Sequence, residues 1–532
     1  TMDKKQASSI IENTFNSSFN RETFISFVGN LFNLHSHDFS RQNINIYDSY
    51  KQHVKSLEVV AKYSGGHNDI DILIVTLMRD TSLDRARTMQ RNFVSRYLSD
   101  KQGGAAIVAF HSPDAEDWRF SLIKMEYKLS QTETGFKFEQ EINRDLSAKR
   151  WSFLVGKNER SHTAQNQLVG ILANDQESPS LDDLEQAFNI ESVTKEFFEK
   201  YTDLFLRMKD SLDSLLESDY KLRSDFESKE INTSDFAKKT MGQMAFLYFL
   251  QKKGWFGVAP GKEWGSGVKN FLREVFDRRE NYGENFFDDV LEPLFYEALA
   301  QDRGNESIYP KLNNYRMPFL NGGLFEPMNG YSWETTHIRL PDELFSNKTE
   351  TYEGDGILDV FDRYNFTVNE SDPLEMEVAV DPEMLGKVFE NLLEIKDRES
   401  SATFYTPREI VHYMCQESLI NYLETKTNNL IPQSDIDFFI RKGSQIIQND
   451  KSVIEQGKES ENLKYLLPQS IRDQSTTLDG LLSDIKICDP AVGSGAFPLG
   501  MLNEIIAARS ILGIHLRTNP TSYNLKLHAI AN

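Results

Sequence analysis

The strongest constraint on the fold lies in residues 481–510, LLSDIKICDPAVGSGAFPLGMLNEIIAARS. Ile485 to Cys488 reads as a short buried strand, and Asp489 and Pro490 end it. Small residues follow, then a helical pattern from Phe497 to Ser510 with Leu499, Leu502, Ile505 and Ile506 on one side. Strand, glycine loop and helix make half of a βαβ unit, the element from which doubly wound α/β sheets are assembled. Gly493 and Gly495 carry no Cβ, so the backbone can turn tightly there and a ligand can approach it closely. Two familiar ligand loops match poorly. A phosphate-cradling loop needs GxxxxGK[ST], and no lysine follows Gly495; a dinucleotide fingerprint would put glycine where Pro498 stands. Asp489, at the strand end, repels a pyrophosphate and suits a neutral or cationic ligand bearing an amine.

A second segment has a well-marked start. In SATFYTPREIVHYMCQESLINYL, residues 401–423, Thr406 is a good N-cap, Pro407 suits the first helical position, and Glu409 completes a capping box. Val411, Cys415, Leu419 and Leu423 then recur every fourth residue, so the spacing predicts an amphipathic helix. A well-capped surface helix is the plain reading of this segment by itself. S-adenosylmethionine, whose ammonium and sulfonium are positive, meets the demand that Asp489 sets, with Phe497 as an apolar neighbour for its adenosine.

Taken together, the two segments resemble known motifs. DPAVGSGAF is similar to the first motif of the amino-group (adenine-N6) DNA methyltransferases, and FYTPREIV resembles the motif that precedes it. DPEMLGKVFENLLE, residues 381–394, resembles the helix before these motifs in large restriction–modification methylases of the type I and type IIG kinds. Upstream, AAIVAFHSPDAEDWRFSLIKMEYKL and KRWSFLVGKNERSHTAQNQLVGIL are similar to the N-terminal region of long methylases from restriction and phage-defence systems. The resemblance implies transfer of a methyl group from S-adenosylmethionine to a flipped-out adenine of duplex DNA. It implies cofactor contacts from Tyr405, Thr406, Pro407, Asp489, Pro490, Ala491, Gly493, Ser494, Gly495 and Phe497. The Asn/Asp-Pro-Pro-aromatic motif that would hold the adenine amine occurs nowhere in the 532 residues, and NPTSY at 519–523 lacks the second proline. No catalytic residue is therefore assigned to methyl transfer. The expectation is a chain that ends inside its methylase domain and is inactive as a fragment.

The rest of the chain divides by texture. Residues 1–175 read as an N-terminal α/β domain, with strands at KQHVKSLEVV, NDIDILIVTLM, GGAAIVAFHS and WRFSLIKMEYKL and a helix at SLDRARTMQRNFVSRYLSD. Residues 176–380 read as a helical connector, with Ser180 capping SLDDLEQAFN and Gly254 ending a long helix. Residues 381–532 would start a Rossmann-like class I methyltransferase domain. The expected fold class is α/β and α.

A net charge of −22 does not favour a broad phosphate-binding surface, and the basic run RARTMQRNFVSR reads as a solvated helix face. Cys415 and Cys488 are the only cysteines, the first residues lack an apolar signal stretch, and no run approaches the ~18 uninterrupted apolar residues of a membrane span. A cytoplasmic protein without disulfides or membrane contact is expected.

Pro113-Asp114 followed by Glu126-Tyr127-Lys128 formally fits PD-x(n)-ExK, in which Asp114 and Glu126 would hold Mg²⁺ and Lys128 would position water. An alternating strand explains the same residues, and Asp69 with Asp71 offers another carboxylate pair. His35, His37 and Asp38 lack a further His or Cys nearby and read as a polar turn rather than a metal site. Two functions stay open. One is a DNA adenine methylase component, with or without a fused nuclease. The other is a noncatalytic module with a structural methylase fold that binds DNA or a nuclease, helicase or specificity partner.

Overall fold

A computed structural model describes residues 2–531 apart from 66–67, 80, 84–85, 126–128, 133–134, 139–147, 321–322, 368–373, 383–405, 462, 493–494 and 519–521. The chain divides into two compact units. One comprises Thr1–Asn189, Glu370–Val378 and Phe389–Asn532; the other comprises Ile190–Asn369 and Ala379–Val388.

The first unit is built on a seven-stranded mixed sheet: β1 (Phe39–Ile44), β2 (Val54–Gly65), β3 (Asn68–Leu77), β4 (Ala105–His111), β5 (Asp117–Met125), β6 (Ala148–Gly156) and β7 (Glu375–Glu377), in that spatial order. β3 pairs parallel with β4, and β6 with β7; the other neighbours are antiparallel. A parallel neighbour requires a crossover, and α3 (Arg87–Lys101) supplies it between β3 and β4. The predicted strands at NDIDILIVTLM, GGAAIVAFHS and WRFSLIKMEYKL are thus β3, β4 and the start of the pairing along β5.

Alternation along β5 sorts the two faces. Trp118 and Phe120 meet Phe15 of α1 (Lys4–Phe15) and Phe24 and Phe27 of α2 (Arg21–Leu31). Ile123 and Met125 share the other core with Phe93, Val94, Tyr97 and Leu98 of α3. Helices α4 (His162–Leu172) and α5 (Leu181–Ala187) follow β6, and Ser180 caps α5 through the Asp183 N–H, as its sequence predicts.

The basic run on α3 is not a solvated face. Arg87 and Arg91 are buried, with Arg119 of β5 and Arg150 of β6, around the two glutamates of β7. Arg119 Nη1 lies 3.1 Å from Glu377 Oε2, Arg91 Nη1 3.3 Å from Glu375 Oε1, and Arg150 Nη1 3.7 Å from Glu375 Oε2. Burial, opposed by Glu375, holds the Arg150 guanidinium below its ordinary value. The acidic partners lie hundreds of residues away in the chain, so a local charge pattern could not reveal them.

The second unit is helical and aromatic. α6 (Ile190–Ser218), α7 (Tyr220–Ser228) and α8 (Thr233–Lys252) precede shorter turns. Phe197, Tyr201, Tyr248, Phe361 and Phe366 pack ring against ring in its core. Gly254 stops α8 as predicted: its φ is +69°, and a Cβ there would stand 2.4 Å from the Gly265 carbonyl oxygen.

Within the first unit, the C-terminal stretch is helical: α9 (Arg408–Lys426), α10 (Gln433–Gln456), α11 (Ser475–Asp484), α12 (Ala496–His515) and α13 (Ser522–Ala531). Leu419, Leu423, Phe439, Ile446, Leu478, Ile505, Ile511 and Leu512 form its core. The stretch between the two motif segments contains α10. That helix reaches the sheet region, where Asn92 Nδ2 donates to Gln445 O at 2.6 Å and Gln52 Nε2 to Glu455 Oε2 at 2.9 Å.

The strand expected at Ile485–Cys488 is absent. Those residues are irregular, Cys488 is exposed and Ile487 is 46% exposed. A strand exists only through pairing, and no described strand lies against this segment. α12 is long and apolar enough to cross a membrane by length and composition. It nevertheless packs against α9, α10 and α11 and carries the buried Glu504.

Candidate functional site

The glycine loop and the Thr406 segment meet through α9 and α12. The stripe predicted for α9 is its buried face: Val411, Cys415, Leu419 and Leu423 are each at most 3% exposed. Val411 and Cys415 press on α12 at Gly500, where a Cβ would stand 2.6 Å from Val411 Cγ1 and 3.3 Å from Cys415 Sγ. Cys415 Sγ also lies 3.7 Å from the Phe497 carbonyl oxygen. Burial, aided by Glu504, pushes the Cys415 thiol up to about 11, which keeps it protonated and unreactive near neutrality.

Polar contacts add to this packing. Glu504 of α12 pairs with His412 Nδ1 and accepts from Gln416 Nε2 at 3.2 Å, both on α9. Arg441 of α10 donates to Gln416 Oε1 at 3.3 Å and pairs with Glu417. Arg441, Gln416, Glu504 and His412 thus link three helices by hydrogen bonds to charged groups, which are stronger than neutral ones. None of these four, nor Gly500, stands out in the sequence. The available signal was that the Val411–Cys415 stripe would need a small residue opposite it.

At the loop itself, Ala491 N–H donates to Asp489 Oδ1 at 3.0 Å. Asp489 Oδ2 is buried and has no hydrogen-bond partner among the described residues. A buried carboxylate oxygen without a donor is costly, so the geometry suits a donor supplied by a ligand. Gly495 has φ +81°, a backbone that a side chain would strain, and its N–H closes a turn onto Val492 O at 2.8 Å. Among the described residues no side chain caps α12, whose positive end lies at the loop.

Pro490 and Ala491 are exposed and Phe497 is partly buried, while Tyr405, Gly493 and Ser494 lie outside the described residues. Thr406 does not cap α9. The helix starts at Arg408, Pro407 takes the cap position with extended ψ, and no side chain closes the first turn. The capping box predicted there is not formed, because Pro407 stands one position earlier relative to the helix than its sequence pattern suggests. Apolar groups stay exposed around the loop, including Ile410 and Met414 of α9, Val492 and Leu499.

Asp114 lies in an exposed turn before β5, 3.9 Å from Arg79. Glu126 and Lys128 lie outside the described residues. β5 has nine residues from Asp117 to Met125, and at ~3.3 Å per residue its ends are roughly 26 Å apart. Asp114 precedes one end of β5 and Met125 closes the other. Asp71 is buried and accepts from Tyr97 Oη at 2.7 Å, while Asp69 takes the Ser64 hydroxyl. The Asp38 carboxylate accepts the His35 N–H at 2.7 Å, which makes the His35–His37 segment a polar turn.

The architecture is that of a mixed α/β protein with a partly buried carboxylate, Asp489, at a glycine loop. Comparison with known proteins finds similarity to a protein of Methanocaldococcus jannaschii provisionally named a type II restriction enzyme and methyltransferase. Identity is 28% over 367 residues, covering 64% of this chain and 28% of that protein. The chain thus matches little more than a quarter of its relative's length. No family model matches the chain, and no solved structure matches it.

Proposed function

We propose that the chain is part of an S-adenosylmethionine-dependent DNA methyltransferase of a restriction–modification or phage-defence system, acting on the N6 amino group of adenine. Similarity to the restriction enzyme and methyltransferase supports the methylase reading. Adenine specificity rests on the DPAVGSGAF and FYTPREIV motifs, and assignment to the type IIG kind on the resemblance of DPEMLGKVFENLLE. The observation that carries the cofactor reading is the Asp489 carboxylate, whose Oδ2 is buried without a donor among the described residues, beside the start of α12.

In this reading Asp489 accepts hydrogen bonds from the ammonium of the methionine moiety, and the N–H groups that open α12 face its carboxylate. The Gly493–Gly495 backbone allows close approach, and Phe497 with Thr406 and Pro407 borders the adenosine. When bound, S-adenosylmethionine supplies an electrophilic methyl group on its sulfonium. The sequence holds no Asn-Pro-Pro or Asp-Pro-Pro string, so the group that accepts the adenine amine is not assigned. Duplex DNA is the proposed partner, with nuclease, helicase or specificity subunits as further ones.

The test is transfer of labelled methyl from S-adenosylmethionine to unmethylated duplex DNA by the full-length protein, followed by nucleoside analysis. N6-methyladenine is expected. Methylcytosine would overturn the specificity, and no cofactor binding at all would favour the noncatalytic binding module.

A further inference from the structure

The helical unit holds a second polar cluster, unrelated to the cofactor loop. Glu292 is fully buried, and its Oε1 accepts the Tyr331 hydroxyl. Its other oxygen, Oε2, is buried with no hydrogen-bond partner among the described residues. Asp288, four residues earlier and itself buried, is the carboxyl that acts on Glu292. Asp288 accepts from His337 Nδ1 at 3.0 Å and has Arg339 Nε at 3.9 Å. Asp288 and Tyr296 lie in two π-helical turns, Phe287–Leu291 and Leu294–Ala298, with Glu292 between them, and the three recur every fourth residue, so they share one side. Such wide turns are uncommon and occur often at functional positions.

Two ionised carboxylates cannot remain in contact with one of them out of water. A proton on Glu292 Oε2, donated to Asp288, removes the repulsion and gives the orphaned oxygen its partner. We propose that Asp288 and Glu292 share one proton, and that this proton holds the Tyr331–Arg339 segment against the Phe287–Ala298 turns, so that its loss at alkaline pH loosens that packing. Burial first, and Asp288 beside it, hold the Glu292 carboxyl well above the usual carboxylate range. The groups facing Glu292 are Asp288 and Tyr296 from its own segment, and Tyr331 from the loop. His337 and Arg339 reach it only through Asp288, and α8 contributes the uncharged Gln243.

The sign follows from linkage. A carboxyl raised in the folded state keeps its proton while the unfolded chain has lost it. Stability is therefore greatest below the ordinary glutamate value and declines as pH rises toward the folded value. Thermal unfolding of the full chain from about pH 5 to about pH 9 tests this against Glu292→Gln and Asp288→Asn. Glu292→Gln should lose several degrees less than wild type over that range because it has no carboxyl proton to lose, and Asp288→Asn should lose less by a smaller margin, because Glu292 stays buried without the neighbouring charge. Parallel profiles for wild type and both variants would overturn the proposal. Infrared spectroscopy of the wild type gives a reading independent of variant folding: a protonated carboxyl band should persist at neutral pH, and its absence would equally overturn it.

Discussion

Replacing Gly500 with alanine should loosen the contact that joins the two motif segments. A methyl group there would stand 2.6 Å from Val411 Cγ1 and 3.3 Å from Cys415 Sγ, where carbon contacts prefer about 3.5–4.0 Å. Either α9 and α12 part by about an ångström or Val411 leaves its preferred rotamer, which a β-branched residue in a helix resists. Overpacking of this kind costs about 1–3 kcal/mol. Alanine also recovers about 1 kcal/mol of helix propensity over glycine, so the net loss is expected to be up to about 2 kcal/mol.

Gly480 in α11 is the internal control, since a Cβ there meets nothing within 4 Å. Gly480→Ala should stabilise by about 0.5–1 kcal/mol, and the gap between the two variants isolates an overpacking cost of about 1–3 kcal/mol. Urea unfolding followed by circular dichroism reads this as opposite shifts in midpoint at unchanged slope. If Gly500→Ala raises the midpoint as much as Gly480→Ala does, the close packing of α9 on α12 is wrong.

Three further outcomes are expected. Glu377→Ala strips a buried partner from Arg119 and Arg87 and should cost about 3–5 kcal/mol in urea unfolding, whereas a cost below about 1 kcal/mol would mean that the cluster is hydrated. Thr406→Ala should change stability by less than about 0.5 kcal/mol because no side chain caps α9; a loss of about 1 kcal/mol would restore the capping box. His111 stacks on Phe19 and bonds Thr76 Oγ1, and burial, with Lys55 nearby, pushes it from 6.5 down to about 4. Its depressed value gives stability that is present above 6.5 and lost as pH falls toward 4, worth about 3 kcal/mol. His111→Gln should flatten that acid limb in thermal unfolding, and an unchanged limb would remove His111 as its source.

Local patterns carried much of the fold. The β-branched runs at Ile70–Val75 and Ala105–Phe110 are central strands, Ser180 and Gly254 bound helices where their chemistry says, and the Val411–Leu423 stripe is buried. The failures share a cause. Ile485–Cys488 has strand composition, but strand formation needs a neighbouring chain that local composition does not reveal. Arg87 and Arg91 look solvated until Glu375 and Glu377, far along the chain, turn out to close the sheet beside them. Thr406 has the right residue type for a cap, yet Pro407 shifts the helix start beyond its reach. At the candidate site the loop and the helix were legible, while Gly500, His412, Gln416, Glu504 and Arg441 follow only from how α9, α10 and α12 pack.

The central claim is that the Asp489 loop binds S-adenosylmethionine, and calorimetric titration of the full-length protein tests it most directly. Wild type should bind with a measurable heat. Asp489→Ala should weaken binding at least about tenfold, since a hydrogen bond to a charged group contributes about 1.5–3 kcal/mol, while leaving the unfolding midpoint nearly unchanged. Equal affinity in the two proteins, or no binding by wild type, would contradict the account.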